Sequence, residues 1–281
     1  MAFTLQDTII LSVENLSVKY GDKTIIENIN MEERDVVRTG HVQGQSIAIL
    51  GRSGRGKSTL FRSLCGLEKP STGFVRIPDF KNKKEDEPYQ FKEVHEGDMG
   101  FVNQHYTLFR HKTVEQAMLF AMRKQDGTKQ EKLAHIHDLL KKWGLYAVRH
   151  QYPNELSGGQ RQRTAILEQV VGASKYYILD EPFSGLDVGN IERMKETFRL
   201  INAEDELNTI IFSTHDIELA IELADSVYVV GYLALPDGSY SEAATIIKHF
   251  DLKSGGVAWQ DKLSQAHLDI VEEVKQAMMG S

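Results

Sequence analysis

The sequence predicts an α/β fold built on a parallel sheet, and three observations predict it. Short, continuous apolar runs recur at Ser46 to Leu50, Tyr176 to Leu179 and Thr209 to Phe212. Such runs fit strands covered on both faces, as parallel strands are. Each ends in glycine or polar residues: Gly51, then Asp180-Glu181-Pro182, then Ser213-Thr214-His215. Helical patterns separate them, and ligands in such sheets bind at the carboxyl ends of the strands.

The elements follow in chain order. Thr8 to Val13 and Leu16 to Tyr20 are β-rich, and Gly21-Asp22 reads as a hairpin turn. Ser46 to Leu50 is a buried strand feeding a loop. Thr59 to Cys65 is a helix stopped by Gly66, with Pro70 beyond. The charge run 81–87 reads as an exposed loop. Thr113 can cap a helix carrying Val114, Ala117, Met118 and Ala121 on one face. Lys129 to Trp143 repeats that pattern through Leu133, Ile136 and Leu140. Ser157 can cap a third helix, so the region of about 105–172 is helix-rich. Ser226 to Val230 and Tyr232 to Leu235 read as a late strand pair. Beyond 240, Leu263, Ala266, Ile270, Val274 and Ala277 form a helical stripe, read as docked on its own domain or on a partner protomer.

Composition bounds the function. The 281 residues suggest about two compact units, and 41% apolar content supports a real core. Thirty-three Lys and Arg against 40 Asp and Glu leave −7, without the basic footprint of a dedicated nucleic-acid binder. Cys65 is the single cysteine, which excludes an internal disulfide and a Cys-rich zinc site. It reads as a core thiol on the helix after Gly51. His135 and His137 read as exposed. No run approaches the length of a spanning helix, and Met1 to Asp7 show no signal-peptide character. The expectation is a soluble, intracellular chain.

Gly51-Arg52-Ser53-Gly54-Arg55-Gly56-Lys57-Ser58 fits Gly-x4-Gly-Lys-Ser, the P-loop. Its glycines let successive backbone N–H groups turn toward phosphate oxygens. The following helix aims its positive end at the same anion. Lys57 can reach the β- and γ-phosphates, and the Ser58 hydroxyl can ligate Mg²⁺. Two acids at the end of a buried strand are costly without work or partners. Asp180 suits a second Mg²⁺ contact, direct or through water, and Glu181 could polarise an attacking water. The alternative is a pair of acids capping the turn before Pro182. Leu156-Ser157-Gly158-Gly159-Gln160 begins a helix with exposed N–H groups, a second anion site. Two half-sites in one chain suggest that two chains complete each other.

With these motifs in order, the chain resembles the nucleotide-binding subunits of ABC transporters over about residues 9–240. Walker A is 51–58, Gln104 the Q-loop, 156–160 the signature, Tyr176 to Asp180 Walker B followed by Glu181, Ser184-Gly185-Leu186-Asp187 the D-loop, and His215 the switch histidine. The resemblance implies a P-loop NTPase (RecA-like) core with a parallel sheet, an N-terminal antiparallel β subdomain and an inserted helical subdomain. It implies one ATPase domain over 1–240 and a helical extension over 241–281. Gly51, Ser53, Gly54, Arg55, Gly56, Lys57, Ser58 and Thr59 would hold ATP, with Tyr20 stacked on adenine. Ser58, Gln104 and Asp180 would hold Mg²⁺. Glu181 would be the catalytic base, with His215 contacting the γ-phosphate and holding Glu181. Ser157, Gly158, Gly159 and Gln160 would meet the nucleotide of a second protomer, and Asp187 would lie across the dimer interface.

Departures from the family pattern are Arg52 and Arg55 in Walker A, Gly185 in the D-loop, Glu168 where the family shows Arg, and a long segment Asp35 to Gln43, read as a surface loop. Glu168 is expected to alter a local ion pair. The implied function is an ATP-hydrolysing motor, dimerising head-to-tail around two ATP and driving separate transmembrane permease subunits. It would lie on the inner face of the cell membrane, with any solute-binding protein reached through the permease. His105 to His111 resembles importers of sulfate- and sulfonate-like anions, which favours import of a small polar or anionic solute. The alternatives are a soluble ABC ATPase of the iron–sulfur-assembly kind, an exporter or lipid-transport subunit, and a degenerate domain that binds ATP without turnover.

Overall fold

The computed structural model describes residues 3–38, 43–80, 82, 89–172, 174–258 and 264–279. Two sheets organise them. Strands β1 (Phe3–Tyr20), β2 (Lys23–Arg38), β4 (Thr72–Pro78) and β5 (Phe91–Glu93) form an antiparallel sheet in the order β2-β1-β4-β5. The two runs read before Tyr20 are one strand. Its register shifts between Val13 and Leu16, where Asn15 takes a left-handed φ of 50°. Tyr20 pairs with Lys23, so Gly21-Asp22 is the two-residue turn.

The second sheet holds β3 (Gln45–Leu50), β6 (Gly100–Val102), β7 (Tyr176–Leu179), β8 (Thr209–Thr214), β9 (Ser226–Gly231) and β10 (Thr245–Asp251), in the order β10-β9-β3-β8-β7-β6. All neighbours are parallel except β10, which runs antiparallel to β9. The unbroken apolar runs have a physical cause. Ala48, Leu50, Tyr177, Leu179, Ile210 and Phe212 enter one core, while Ile47, Ile49, Tyr176, Ile178 and Ile211 enter another across the sheet. With both faces buried, the middle of each strand is apolar, and polar residues fall at its ends.

Helix α1 (Lys57–Leu64) packs in the core shared with the antiparallel sheet. Helices α2 (Val114–Ala121), α3 (Lys129–Lys142) and α4 (Gly158–Val170) fill the helix-rich middle. Thr113, Thr128 and Ser157 cap them in capping boxes closed by Gln116, Glu131 and Gln160. Helices α5 (Val188–Glu204), α6 (Ile217–Leu223) and α7 (Gln265–Met279) complete the fold.

Several expectations change. Residues 35–38 continue β2 rather than opening a loop, and 39–42 lie outside the described residues. The charge run 81–87 lies outside them too, apart from exposed Asn82. Tyr232 to Leu235 is not the partner of β9. After Gly231 the chain enters a turn in which the Leu235 N–H donates to the Ser239 carbonyl, and β10 pairs with β9 instead. The sheet therefore extends past residue 240 to Asp251. In α7 the buried positions are His267, Val271 and Val274, with Ile270 and Ala277 partly buried and Ala266 exposed; Leu263 lies outside the described residues. This face is docked on α6 and β9. His137 is half-buried, with Nε2 at 2.5 Å from the Glu115 carboxylate, whereas His135 is exposed. Cys65 is buried, and burial pushes its thiol up to about 11.

Candidate functional site

Strands β3, β7 and β8 are adjacent and parallel, so their carboxyl ends share one edge of the sheet. The residues that follow them are therefore brought together from positions more than 160 residues apart. After β3, Gly51 to Gly56 turn tightly into α1. Gly56 has φ 81°, and a Cβ there would stand 2.6 Å from Ile26 Cγ2, so only glycine fits. Lys57 is buried, and its Nζ donates to the Gly51 carbonyl at 2.7 Å. The ammonium is thus aimed back across the loop it follows.

The acids after β7 join this loop directly. Ser58 Oγ donates to Asp180 Oδ2 at 2.7 Å, and Ser213 Oγ donates to Asp180 Oδ1 at 2.7 Å. The Glu181 N–H in turn donates to Ser213 Oγ at 2.8 Å. Glu181 carries φ 50°, an outlier for a side-chain-bearing residue, and the Ser213 bond helps hold it. Its Oε1 lies 3.5 Å from Lys57 Nζ and its Oε2 lies 3.2 Å from His215 Nδ1. Hydroxyl and carboxylate oxygens at Ser58 and Asp180 are the hard donors that Mg²⁺ takes beside phosphate, so the residues present fit that ion. The arrangement can hold a polyphosphate, a divalent cation and a carboxylate poised over both.

Other predicted residues sit apart. Gln104 Nε2 donates to Ser184 Oγ at 3.3 Å, touching the turn after Glu181 rather than Ser58 or Asp180. Ser157, Gly158, Gly159 and Gln160 line a separate cleft of about 1420 Å³ with Gln104, Gly185 and Arg193, and no P-loop residue lines it. The Ser157 hydroxyl accepts the Gln160 N–H, leaving the first turn of α4 open to the cleft. Asp187 caps α5 by accepting the Asn190 N–H. Tyr20 is exposed, its hydroxyl donating to Glu68 at 3.0 Å. Thr59 is buried behind the loop. Burial pushes the Glu168 carboxyl up to about 7.

Two contributors escaped the sequence reading. Ser213 was visible as a polar residue ending an apolar run, which was the available signal. Gln162 is buried and donates from Nε2 to the Tyr106 hydroxyl at 2.5 Å and the Pro182 carbonyl at 2.6 Å. It fastens α4 to both the segment after Gln104 and the turn after Glu181. Nothing local in the sequence announces that contact.

These features are a glycine-rich loop leading into a helix at the carboxyl edge of a parallel α/β sheet, with a separate cleft beside it. The ABC transporter family profile matches residues 36–184, and the chain belongs to that family. The sulfate/thiosulfate import ATP-binding protein CysA of Synechocystis is 34% identical over 78% of this chain and 57% of its own length. A probable sulfate/thiosulfate import ATP-binding protein of Chlorella vulgaris is 33% identical over 78% of this chain and 86% of its own length. The chain thus spans about three fifths of the length of the bacterial relatives it matches. Among solved structures, cbiO1 of Clostridium perfringens, part of the ABC transporter complex cbiONQ, superposes with a TM-score of 0.68 at 26% identity, covering 98% of both chains. An ATP-binding cassette in its ADP conformation, 18% identical with a TM-score of 0.67, shares the fold.

Proposed function

We propose that this chain hydrolyses ATP as the motor subunit of an ABC importer for a small oxyanion-like solute. The observation that supports this most is the run of direct contacts from Ser58 through Asp180 and Ser213 to Glu181 and His215. It joins a phosphate cradle to a carboxylate. The P-loop amides of Gly51 to Ser58 and the Lys57 ammonium hold the β- and γ-phosphates. Ser58 and Asp180 would hold Mg²⁺, with Gln104 at the rim. When bound, the ion neutralises charge that develops on the phosphate oxygens. Glu181 orients a water in line with the γ-phosphorus and accepts its proton. The new O–P bond forms as the bond to the ADP oxygen breaks. His215 keeps the Glu181 carboxylate turned toward that water. Thr59 supports the cradle and Tyr20 offers its ring to the adenine.

A second copy of the chain would present Ser157 to Gln160 to the γ-phosphate, with Asp187 at the shared interface. Separate transmembrane subunits would hold the complex at the inner face of the cell membrane. Among the described residues, no helix is long and apolar enough to cross a membrane. The import reading draws on the relatives' names and on His105 to His111. We read the ATPase unit as running through Asp251, with a helical arm over about 105–172.

The test is Glu181→Gln. Phosphate release should fall at least about 100-fold, the usual weight of a general base, while MgATP still binds. Turnover at the wild-type rate would remove Glu181 from this role. Recovering the tagged chain from detergent-solubilised native cells should bring a multi-spanning membrane protein with it. Soluble partners alone would overturn the transporter reading.

A further inference from the structure

Arg55 stands inside the P-loop at a position the phosphate cradle does not require to be charged. Its guanidinium carbon lies 4.1 Å from the centroid of the Tyr232 ring. Tyr232 immediately follows β9 and is half-buried. The connection it opens encloses the loop on two sides. At one end, the Val230 carbonyl is so close that a Cβ on Gly51 would meet its oxygen at 2.5 Å. At the other, Ala244 donates its N–H to the Ile25 carbonyl at 3.1 Å and accepts the Glu27 N–H at 2.9 Å. Ile25 and Ile26 are the side chains pressed against Gly56. Between these grips the turn Arg52 to Arg55 is spanned by long bonds to the Arg52 carbonyl, from the Arg55 N–H at 3.4 Å and from Lys57 Nζ at 3.4 Å, and Arg52, Ser53 and Gly54 are exposed.

We propose that Tyr232 is a positioning residue for the nucleotide: by stacking under Arg55 it fixes the exposed turn of the P-loop in the shape that receives the phosphates. This rests on the reading of residues 51–58 as the nucleotide site. A loop held ready for its ligand binds more tightly because less order is lost on binding. The turn meets the same phosphates whether ATP or ADP is bound, so its stiffness acts on both equally. Uniform binding of that kind sets KM and leaves kcat alone.

The experiment is a double-mutant cycle on the full chain, read by calorimetric titration with MgADP and MgATP and by steady-state hydrolysis. Tyr232→Leu keeps apolar bulk and removes the ring. It should raise both dissociation constants about five-fold, which is about 1 kcal/mol at 1.4 kcal/mol per decade and the size of a cation–π contact. KM should rise by a similar factor, with kcat within about two-fold. Tyr232→Phe keeps the ring face and should bind as wild type does. In an Arg55→Ala background, Tyr232→Leu should add no further loss. Unchanged affinity in Tyr232→Leu, or the same loss with and without Arg55, would overturn the proposal while leaving the nucleotide site standing. A wild-type chain that binds neither nucleotide would remove the site itself.

Discussion

At the scale of residues, the site depends on how few atoms separate Ser58 from His215. Ser213 is the joint, because its hydroxyl donates to Asp180 and accepts from the Glu181 N–H. Ser213→Ala should leave that N–H without its acceptor and Glu181 less firmly held in its left-handed conformation. We expect a stability loss of about 1–3 kcal/mol by urea unfolding, the cost of an unmade buried hydrogen bond. We also expect a fall in kcat that exceeds any change in KM. Equal effects on kcat and stability-corrected affinity would argue that Ser213 only packs. Lys57→Ala should raise the dissociation constant for MgATP by at least about ten-fold, since a charge-assisted contact to phosphate is lost. Unchanged affinity would refute the P-loop assignment. Glu168 gives a pH prediction. Burial raises its carboxyl from the ordinary range to about 7, so the folded chain binds the proton more tightly than the unfolded chain. That contribution to stability is complete below the unfolded value and is lost as pH rises through about 7. Glu168→Gln should therefore flatten this part of the stability profile and raise the thermal midpoint at pH 8 by about 2–4 °C. A profile identical to wild type would contradict the shift.

At the scale of elements, legibility followed burial. Strands β3, β7 and β8 were plain in the sequence because two cores make their middles continuously apolar. The caps at Thr113 and Ser157 were plain because capping is local chemistry. Strand β10 was not. It lies at the sheet edge, so Lys248 and His249 interrupt its apolar pattern and it resembles a loop. The face of α7 was misread at one position for a similar reason. His267 is buried with its Nδ1 accepting the Ser264 N–H at 2.9 Å, and periodicity alone assigns a histidine to water. Spacing named the glycine loop, the acids and the histidine that the fold brings together, while Ser213 and Gln162 join them through long-range contacts that spacing does not record. The segment after β10 is fastened by one such contact. Lys253 Nζ donates to Glu33 Oε2 at 2.8 Å, with both side chains almost wholly buried, and the Tyr228 hydroxyl donates to the other carboxylate oxygen at 2.9 Å. Lys253→Met should cost about 3–5 kcal/mol, because it strands a buried carboxylate. Replacing both partners with apolar residues should recover much of that loss. Denaturant midpoints for the two variants decide it, and a single variant as stable as wild type would show that the pair is solvated after all.

At the scale of the whole molecule, the two surfaces proposed to meet phosphate lie apart on one chain. The P-loop edge is built on β3, and the signature cleft is built on α4 and α5 with no P-loop residue in its wall. The N-terminus of α4 presents the positive end of its dipole and free N–H groups, which would suit an anion. Within a single chain it has no phosphate to receive. A second copy turned head-to-tail would bring its own P-loop phosphates there, and the γ-phosphate is the group that distinguishes ATP from ADP at such a junction. The dimer should then form with ATP and part after hydrolysis, an ordinary population shift driven by differential affinity for two states. Glu181→Gln removes the proton acceptor and should stop the cycle at the closed state. Sedimentation of that variant should give a dimer with MgATP and a monomer with MgADP. Adding Ser157→Arg, which puts bulk and positive charge at the α4 N-terminus, should return it to a monomer that still binds MgATP, with affinity lowered only by the lost coupling to the dimer, because that residue lies outside the P-loop. A Glu181→Gln chain that stays monomeric at saturating MgATP would mean that the signature cleft serves some other anion, and the paired-site mechanism would fall with it.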